Sequence, residues 1–231
     1  MNSIKEKIKS RGYWKVVIRP SSFNQYRISE PGLCKKLIRD NSVRLRGWDY
    51  PHYDSEKEPI CGLDYVEQFT DWQDHIEAWR FYQSGQFIHY IALWEDWQDE
   101  YPFGGYALKI PPLEYLSIFS TVIHLTEIYE FASRLAANGL FDNSCEIQIF
   151  LCNTNNRTLK TFDIRRPLFS EFKTMLSEIP RSISLTSSDL MGRSSELALE
   201  HVVWLFQRFN WDDVQADSFK EDQRKFLDRS I

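Results

Sequence analysis

An α+β fold built around a mainly antiparallel sheet is what this sequence predicts, and three observations predict it. Short stretches rich in β-branched and aromatic residues, such as YWKVVIR (13–19), crowd the first hundred residues. One long helical pattern follows, from Leu113 to Asn138, and the later strands and helices do not alternate as βαβ units would. Aromatic residues make up 15% of the chain, with 8 Trp, 11 Tyr and 16 Phe, which favours a ring-packed core containing strands. With no repeat, low-complexity run or linker in its 231 residues, the chain reads as one domain, 1–231. Within it, a sheet plus long helix (1–140) precedes a strand pair plus helices (141–231).

The elements follow in order. Ile4 to Lys9 suits a short helix with a basic side, and Gly12 separates it from the strand at 13–19, which Pro20 stops. Pro31 opens a short amphipathic helix through GLCKKLIRD. SVRLRGW (42–48) alternates like a strand, with Arg44, Arg46 and Trp48 on one face. An acidic loop spans 49–62 and a third strand 64–72. HIEAWRFYQSGQFIHYIALWEDW (75–97) reads as a hairpin about a two-residue Ser84-Gly85 turn, opposing Arg80 to His89 and Phe81 to Ile88. Both faces of this hairpin (75–95) carry large apolar side chains, so it belongs at the centre of the sheet with both faces covered. Residues 101–112 suit a loop with one short strand. From 113 to 138 Tyr115, Ile118, Val122, Leu125, Tyr129, Ala132 and Ala136 recur at helical spacing, a helix of about 35 Å. It is closed by Gly139 at C′ and can cover one hairpin face. Later helices or a partner must cover the other. Strands at 145–152 and 158–164, a short helix at 168–178, a brief strand at SISLTS and C-terminal helices at 196–209 and 218–228 complete the chain.

Several function classes drop out on composition. No run of 18 apolar residues occurs, so no membrane helix is expected, and MNSIKEKIKS has no apolar stretch after its charges, unlike a secretory signal. Cys34, Cys61, Cys145 and Cys152 are scattered, which suits reduced thiols in a cytoplasmic protein better than zinc. Net charge is −5, but residues 1–48 carry +9 and residues 49–100 carry −11 by count. The acidic total argues against duplex DNA, while a local anion site stays open. Mutual neutralisation of the two segments is the simpler reading of the asymmetry.

Phosphate loops, nucleophile elbows and zinc-protease motifs are absent from the sequence, so neither cofactor nor metal is assigned. Three looser groups remain. Arg44, Arg46 and Trp48, running into Asp49, His52 and Asp54, could hold an anion or a stacked base, with His52 as an acid/base group. Ion pairing with the following acidic segment is the plainer account. Asp64, Glu67, Asp71, Asp74, His75 and Glu77 are oxygen and imidazole donors that a divalent metal would use if they converged. A solvated acidic edge is the commoner outcome. His124, Glu127 and Arg134 share a side of the long helix, and Arg80 with His89 is either a buried pair fixing register or part of a ligand pocket.

RGYWKVVIRPSSF, VRLRGWDYPH, HIEAWRFYQSGQFIH and HLTEIYEFASRLA resemble stretches of a family of uncharacterised bacterial cytosolic proteins, over roughly residues 11 to 137. The resemblance transfers no catalytic residue. It implies a place in the variable part of bacterial genomes, where defence against mobile elements concentrates. The expectation is a non-catalytic binding or sensing component of a bacterial cytosolic assembly, with a protein partner or a second copy. One alternative is a metal-dependent or acid/base hydrolase of nucleotides or nucleic acid, using His52, Asp49, Asp71, His75 and Glu77. The other is a sensor of a small anionic ligand, using Arg44, Arg46, Trp48, Arg80 and His89.

Overall fold

The computed structural model describes residues 2–98, 100–103, 106–109, 111–163 and 166–229. Its strands are β1 (Tyr13–Pro20), β2 (Ile60–Cys61), β3 (Tyr65–Trp72), β4 (His75–Tyr82), β5 (Phe87–Ala92), β6 (Glu100–Phe103), β7 (Tyr106–Lys109), β8 (Tyr115–Ser117), β9 (Ser144–Cys152), β10 (Thr158–Lys160) and β11 (Glu178–Thr186). The helices are α1 (Asn2–Lys9), α2 (Pro31–Asn41), α3 (Ile118–Ala137), α4 (Ser187–Gln207) and α5 (Asp217–Leu227). Seven strands form one antiparallel sheet in the order β11-β9-β1-β5-β4-β3-β2, so the β4–β5 hairpin is central. Two small pairs lie apart: β6 with β7, and β8 parallel to β10.

The hairpin register differs from expectation by one residue. Arg80 opposes Ile88, Trp79 opposes His89 and Phe81 opposes Phe87. The turn holds three residues, not two: Tyr82 N–H donates to the Gln86 carbonyl at 2.9 Å, around Gly85 at φ +85°. A three-residue hairpin places its left-handed residue last, where glycine costs least. Because side chains alternate, this one step re-sorts the faces. Glu77, Trp79, Phe81, Phe87, His89 and Ile91 share one face, while Arg80 points to the other, away from His89.

The first face is the main core. Trp14, Val16 and Ile18 of β1 join Trp79, Phe81 and Phe87, with Ile147, Ile149 and Leu151 of β9, against Val122, Leu125, Tyr129 and Ala132 of α3. Helix α4 packs on α3 behind them. The second face is covered in part by α1, whose buried Ile8 meets Ile76, Ala78 and Ala92. Beyond α1 it carries aromatic rings under cations: Lys5 and Lys9 over Tyr90, Lys15 over Phe150, and Arg80 over Tyr65. The N-terminal helix, not the later helices, covers part of this second hairpin face.

Other differences have local causes. Residues 42–48 form no strand: only Val43 bridges, to Tyr50, through a 2.7 Å and a 2.9 Å bond, and the chain between folds back as a loop. The long helix starts at Ile118, because Ser117 caps it by accepting from Ser120 N–H, and Tyr115–Ser117 pairs as β8. Gly139 ends it as expected, with Leu140 N–H donating to Leu135 O at 3.1 Å. Residues 101–112 hold two strands, β6 and β7, with Gly104, Gly105 and Ile110 outside the described residues. The strand expected at 158–164 is short, ending at Lys160, and residue 164 lies outside the described residues. Residues 168–178 form no helix, since Phe172 O and Thr174 N–H bond to Leu159 and Arg157 instead. Brief SISLTS becomes a nine-residue edge strand, and α4 begins at Ser187 with a kink at Arg193.

Charge neutralisation is partial. Lys7–Asp71 and Lys35–Glu58 join the basic and acidic segments, but Arg19, Arg27 and Arg46 pair with Glu146, Asp142 and Glu127.

Candidate functional site

Strand alternation aims Glu77 and Trp79 of β4 and His89 of β5 at the main core, where they meet the 44–54 loop. Glu77 is buried and accepts from His52 N–H at 2.8 Å and from His89 Nε2 at 3.1 Å. His75 Nε2 lies 3.4 Å from the same carboxylate, close enough for charge attraction though not aligned as a hydrogen bond. Burial alone would raise the Glu77 pKa; the His89 and His75 imidazoles outweigh it and hold the carboxyl well below the usual range. Trp79 Nε1–H donates to His52 O at 2.8 Å, so β4 grips the loop at two points. Tyr50 OH reaches His89 Nδ1 at 3.2 Å. A carboxylate only accepts, so the His89 Nε2–H donates to Glu77, and the ring's other nitrogen is tied to the Tyr50 hydroxyl.

Asp49 accepts from His52 Nδ1 at 2.6 Å, leaving Nε2 as the basic nitrogen when the ring is neutral. Burial opposes charge on His52, but the bond to Asp49, with the charges of Glu77, Asp49 and Asp54, raises its pKa above the ordinary value. Trp48 lies over both imidazoles, at 4.2 Å from His52 and 4.0 Å from His75 between ring centres. On α3, buried Glu127 accepts two bonds from Arg46, at 2.8 and 2.7 Å, and lies 3.7 Å from His124 Nδ1. Burial pushes the His124 pKa down.

An open cavity of about 550 Å³ sits beside this network. Its walls include Trp14 of β1, Arg46 and Trp48 of the loop, Trp72 to His75 at the β3–β4 turn, Leu93 to Glu95 and Gln98 after β5, and Ser120, Thr121 and His124 of α3. Among the described residues eight buried side-chain polar atoms lack a hydrogen-bond partner. Five belong to side chains lining this cavity: Trp48 Nε1, His75 Nε2, Glu95 Oε2, Gln98 Oε1 and His124 Nε2. Each such atom costs about 1–3 kcal/mol, and native proteins keep few of them. Such atoms are concentrated among the side chains around this cavity.

The candidate residues are sorted by the fold as follows. Asp49, His52, His75 and Glu77 meet, with His89 behind them. Asp71 does not join, because it lies on the opposite sheet face and pairs with Lys7 at 2.6 Å. Arg80 likewise stays on that face, held by Glu67 at 2.9 and 2.6 Å. Arg46 and Trp48 line the cavity, and exposed Arg44 lies in a groove beside it. Among the described residues no three His, Cys, Asp or Glu side chains form a group able to hold a metal ion. Sequence reasoning missed Trp14, Trp72, Trp94, Glu95 and Gln98. Trp72 and Trp94 flank the hairpin on either side, a signal the correct register would have used.

Glu95 is the unusual acid of the wall. It is 1% exposed and accepts from Ser117 N–H at 2.6 Å, while its other oxygen has no partner. Burial, with Asp96 adjoining, pushes its pKa up to about 7, although bonds from backbone N–H groups oppose the shift. The folded state therefore holds this proton more tightly than the unfolded chain, and stability falls as pH rises from about 4.5 until it levels above about 7. Glu95→Gln mimics the protonated acid. Urea denaturation should show it more stable than the parent by about 3 kcal/mol at pH 8 and nearly equal at pH 5. An equal difference at both values would show that Glu95 does not titrate in this range.

Compared with known proteins, the chain matches no protein-family model, no curated protein and no solved structure.

Proposed function

We propose that this chain is a binding or sensing protein without catalytic activity of its own, and that its working part is the tryptophan-lined cavity. The observation that carries this reading is an open cavity faced by Trp14, Trp48, Trp72 and Trp94, five of whose lining side chains each hold a buried polar atom with no hydrogen bond to any described residue. Its volume lies within the range of about 300–1,000 Å³ usual for small-molecule sites. Indole rings favour a flat ligand, and the mixed donors and acceptors favour a polar one. The resemblance of residues 11–137 to bacterial cytosolic proteins supports a cytoplasmic assembly as its setting, with defence as the associated role.

The test is to purify the native protein, denature it, and identify released small molecules by mass spectrometry. A compound present at near one per chain, and depleted at least about tenfold in Trp72→Leu, is expected. Trp72 is 42% exposed, so that substitution leaves the fold in place. An empty protein whose melting temperature no small molecule shifts would overturn the reading.

One observation favours a second reading, acid/base catalysis on the bound molecule. Glu95, pushed to about 7, lines the cavity together with Trp48, whose ring stacks on His52 of the Asp49–His52 pair, and carboxyls near neutrality serve as general acids. Turnover of the recovered compound that is lost in both Glu95→Gln and His52→Gln would establish it. Unchanged compound after prolonged incubation would exclude it.

A further inference from the structure

Resting on the cavity reading, we propose that the ligand is a nucleoside 5′-monophosphate, with its base among the tryptophans and its phosphate in an adjoining arginine groove. The groove, about 390 Å³, is lined by Arg39, Arg44, Arg46, Gly47, Asp49, Tyr53 and Ser55. Arg46 lines both spaces, so one side chain joins the aromatic compartment to the cationic one. A ligand that uses both must be flat at one end and anionic at the other.

The base end follows from the wall. The cavity lining includes the Gln73 and Gln98 amides, the Ser120 and Thr121 hydroxyls and the Asp74 and Glu95 carboxyls, which between them donate and accept. A nucleobase edge mixes donors and acceptors in the same way, and stacking on indole accepts any base. A hydrocarbon or a simple dicarboxylate matches one compartment and not the other.

The anion end follows from the arginines. Glu127 holds Arg46 through Nε and Nη2, which fixes the guanidinium, and its Nη1 bonds to no described residue. Arg44 is exposed and makes no ion pair with any described residue; its one bond is to the Arg39 carbonyl, at 3.3 Å. Arg39 contacts its neighbour Asp40 at 3.2 Å in solvent, a weak pair. The groove's own carboxylate, Asp49, is occupied by His52 Nδ1 and by Tyr53 N–H at 3.2 Å. Guanidinium forks suit phosphate oxygens. A single nucleotide is favoured over a strand because the acidic segment from Asp54 to Asp74 borders the loop and would repel a longer polyanion.

Titrating the full-length protein with the four ribonucleosides, their 5′-monophosphates and inorganic phosphate, followed by tryptophan fluorescence, tests this. At least one monophosphate should bind about tenfold or more tightly than its nucleoside, and Arg44→Ala should shrink that ratio to under about threefold. Equal affinity of nucleotide and nucleoside overturns the proposal, as does an undiminished ratio in Arg44→Ala. An eight-residue single-stranded oligonucleotide binding about tenfold tighter than any monomer overturns it in favour of a strand. If no nucleoside compound binds while another small molecule is recovered from the native protein, the class is wrong and the cavity reading survives. If nothing binds and nothing is recovered, both fall.

Discussion

Arg157→Ala is expected to lower the free energy of unfolding by about 3–5 kcal/mol, the scale for breaking one partner of a buried ion pair. Arg157 and Asp96 expose 0% and 1% of their side chains. Arg157 Nη1 donates to Asp96 Oδ1 at 3.0 Å and to Tyr115 O at 2.6 Å, Nη2 donates to Asp96 Oδ2, and Nε donates to Asn153 O at 2.8 Å. Asp96 also accepts from Gly12 N–H at 2.6 Å and from Leu113 N–H at 2.8 Å. One pair thus ties the start of β1, the turn behind the cavity, β8 and the approach to β10. Without the guanidinium, a buried carboxylate keeps only two backbone donors, and three carbonyl or carboxylate acceptors lose a partner. Gly12 belongs to the same design: a Cβ there would lie 2.1 Å from Arg157 Nη2 and 2.6 Å from Leu93 Cδ1. Gly12→Ala should therefore be destabilising in the same direction, and combining it with Arg157→Ala should cost less than the two separately. Urea denaturation measures all three; a loss under about 1 kcal/mol in Arg157→Ala would sink the account.

How much of this was legible beforehand varies with the range of the interaction. The central hairpin, the long helix and its glycine stop depend on local pattern, and they were readable. The register was not, because Ser84-Gly85 fits a two-residue turn as well as Gln83-Ser84-Gly85 fits a three-residue one, and only the pairing of Tyr82 with Gln86 decides. That single step put Arg80 and His89 on one face in the sequence reading and on opposite faces in the fold. The strand at 42–48 failed for a related reason. Its alternation is real, but no neighbouring strand takes its backbone groups, and Arg46, Trp48 and Asp49 are instead held by Glu127, His75 and His52. The site was half visible. Asp49, His52, His75 and Glu77 stand out as polar residues in apolar surroundings, whereas Glu95 and Gln98 look like any surface residues until the turn at Trp94–Asp96 packs against α3. Burial makes Glu95 a chemical group of interest, and burial is a tertiary property.

Glu77 is where fold and site depend on one atom pair, and replacing it should be as damaging as breaking Arg157. Glu77→Leu keeps the volume roughly but strips His52 N–H and His89 Nε2–H of their acceptor, both inside the core; a loss of about 3–5 kcal/mol at pH 7 is expected. Glu77→Gln separates charge from shape. It keeps one carbonyl acceptor, so it should lose less, about 2–3 kcal/mol. The pH dependence identifies the cause. Because the folded pKa is held below that of the unfolded chain, the Glu77 contribution is complete above about pH 4.5 and declines as pH falls toward the folded value. The gap between the parent and Glu77→Gln should therefore be widest near pH 7 and narrow below pH 4.5. A gap that stayed constant with pH would mean that the carboxylate charge contributes nothing and that only packing was lost. The ligand site should respond as well. Glu77 holds the 44–54 loop through His52, and the loop carries Arg46 and Trp48 into the cavity wall. Tryptophan fluorescence titration of Glu77→Gln, at a temperature where it is fully folded, should show ligand binding weakened about tenfold or more through displacement of that loop. Parent-like affinity in a folded Glu77→Gln would show that Trp79 and the Asp49–His52 bond position the loop without it.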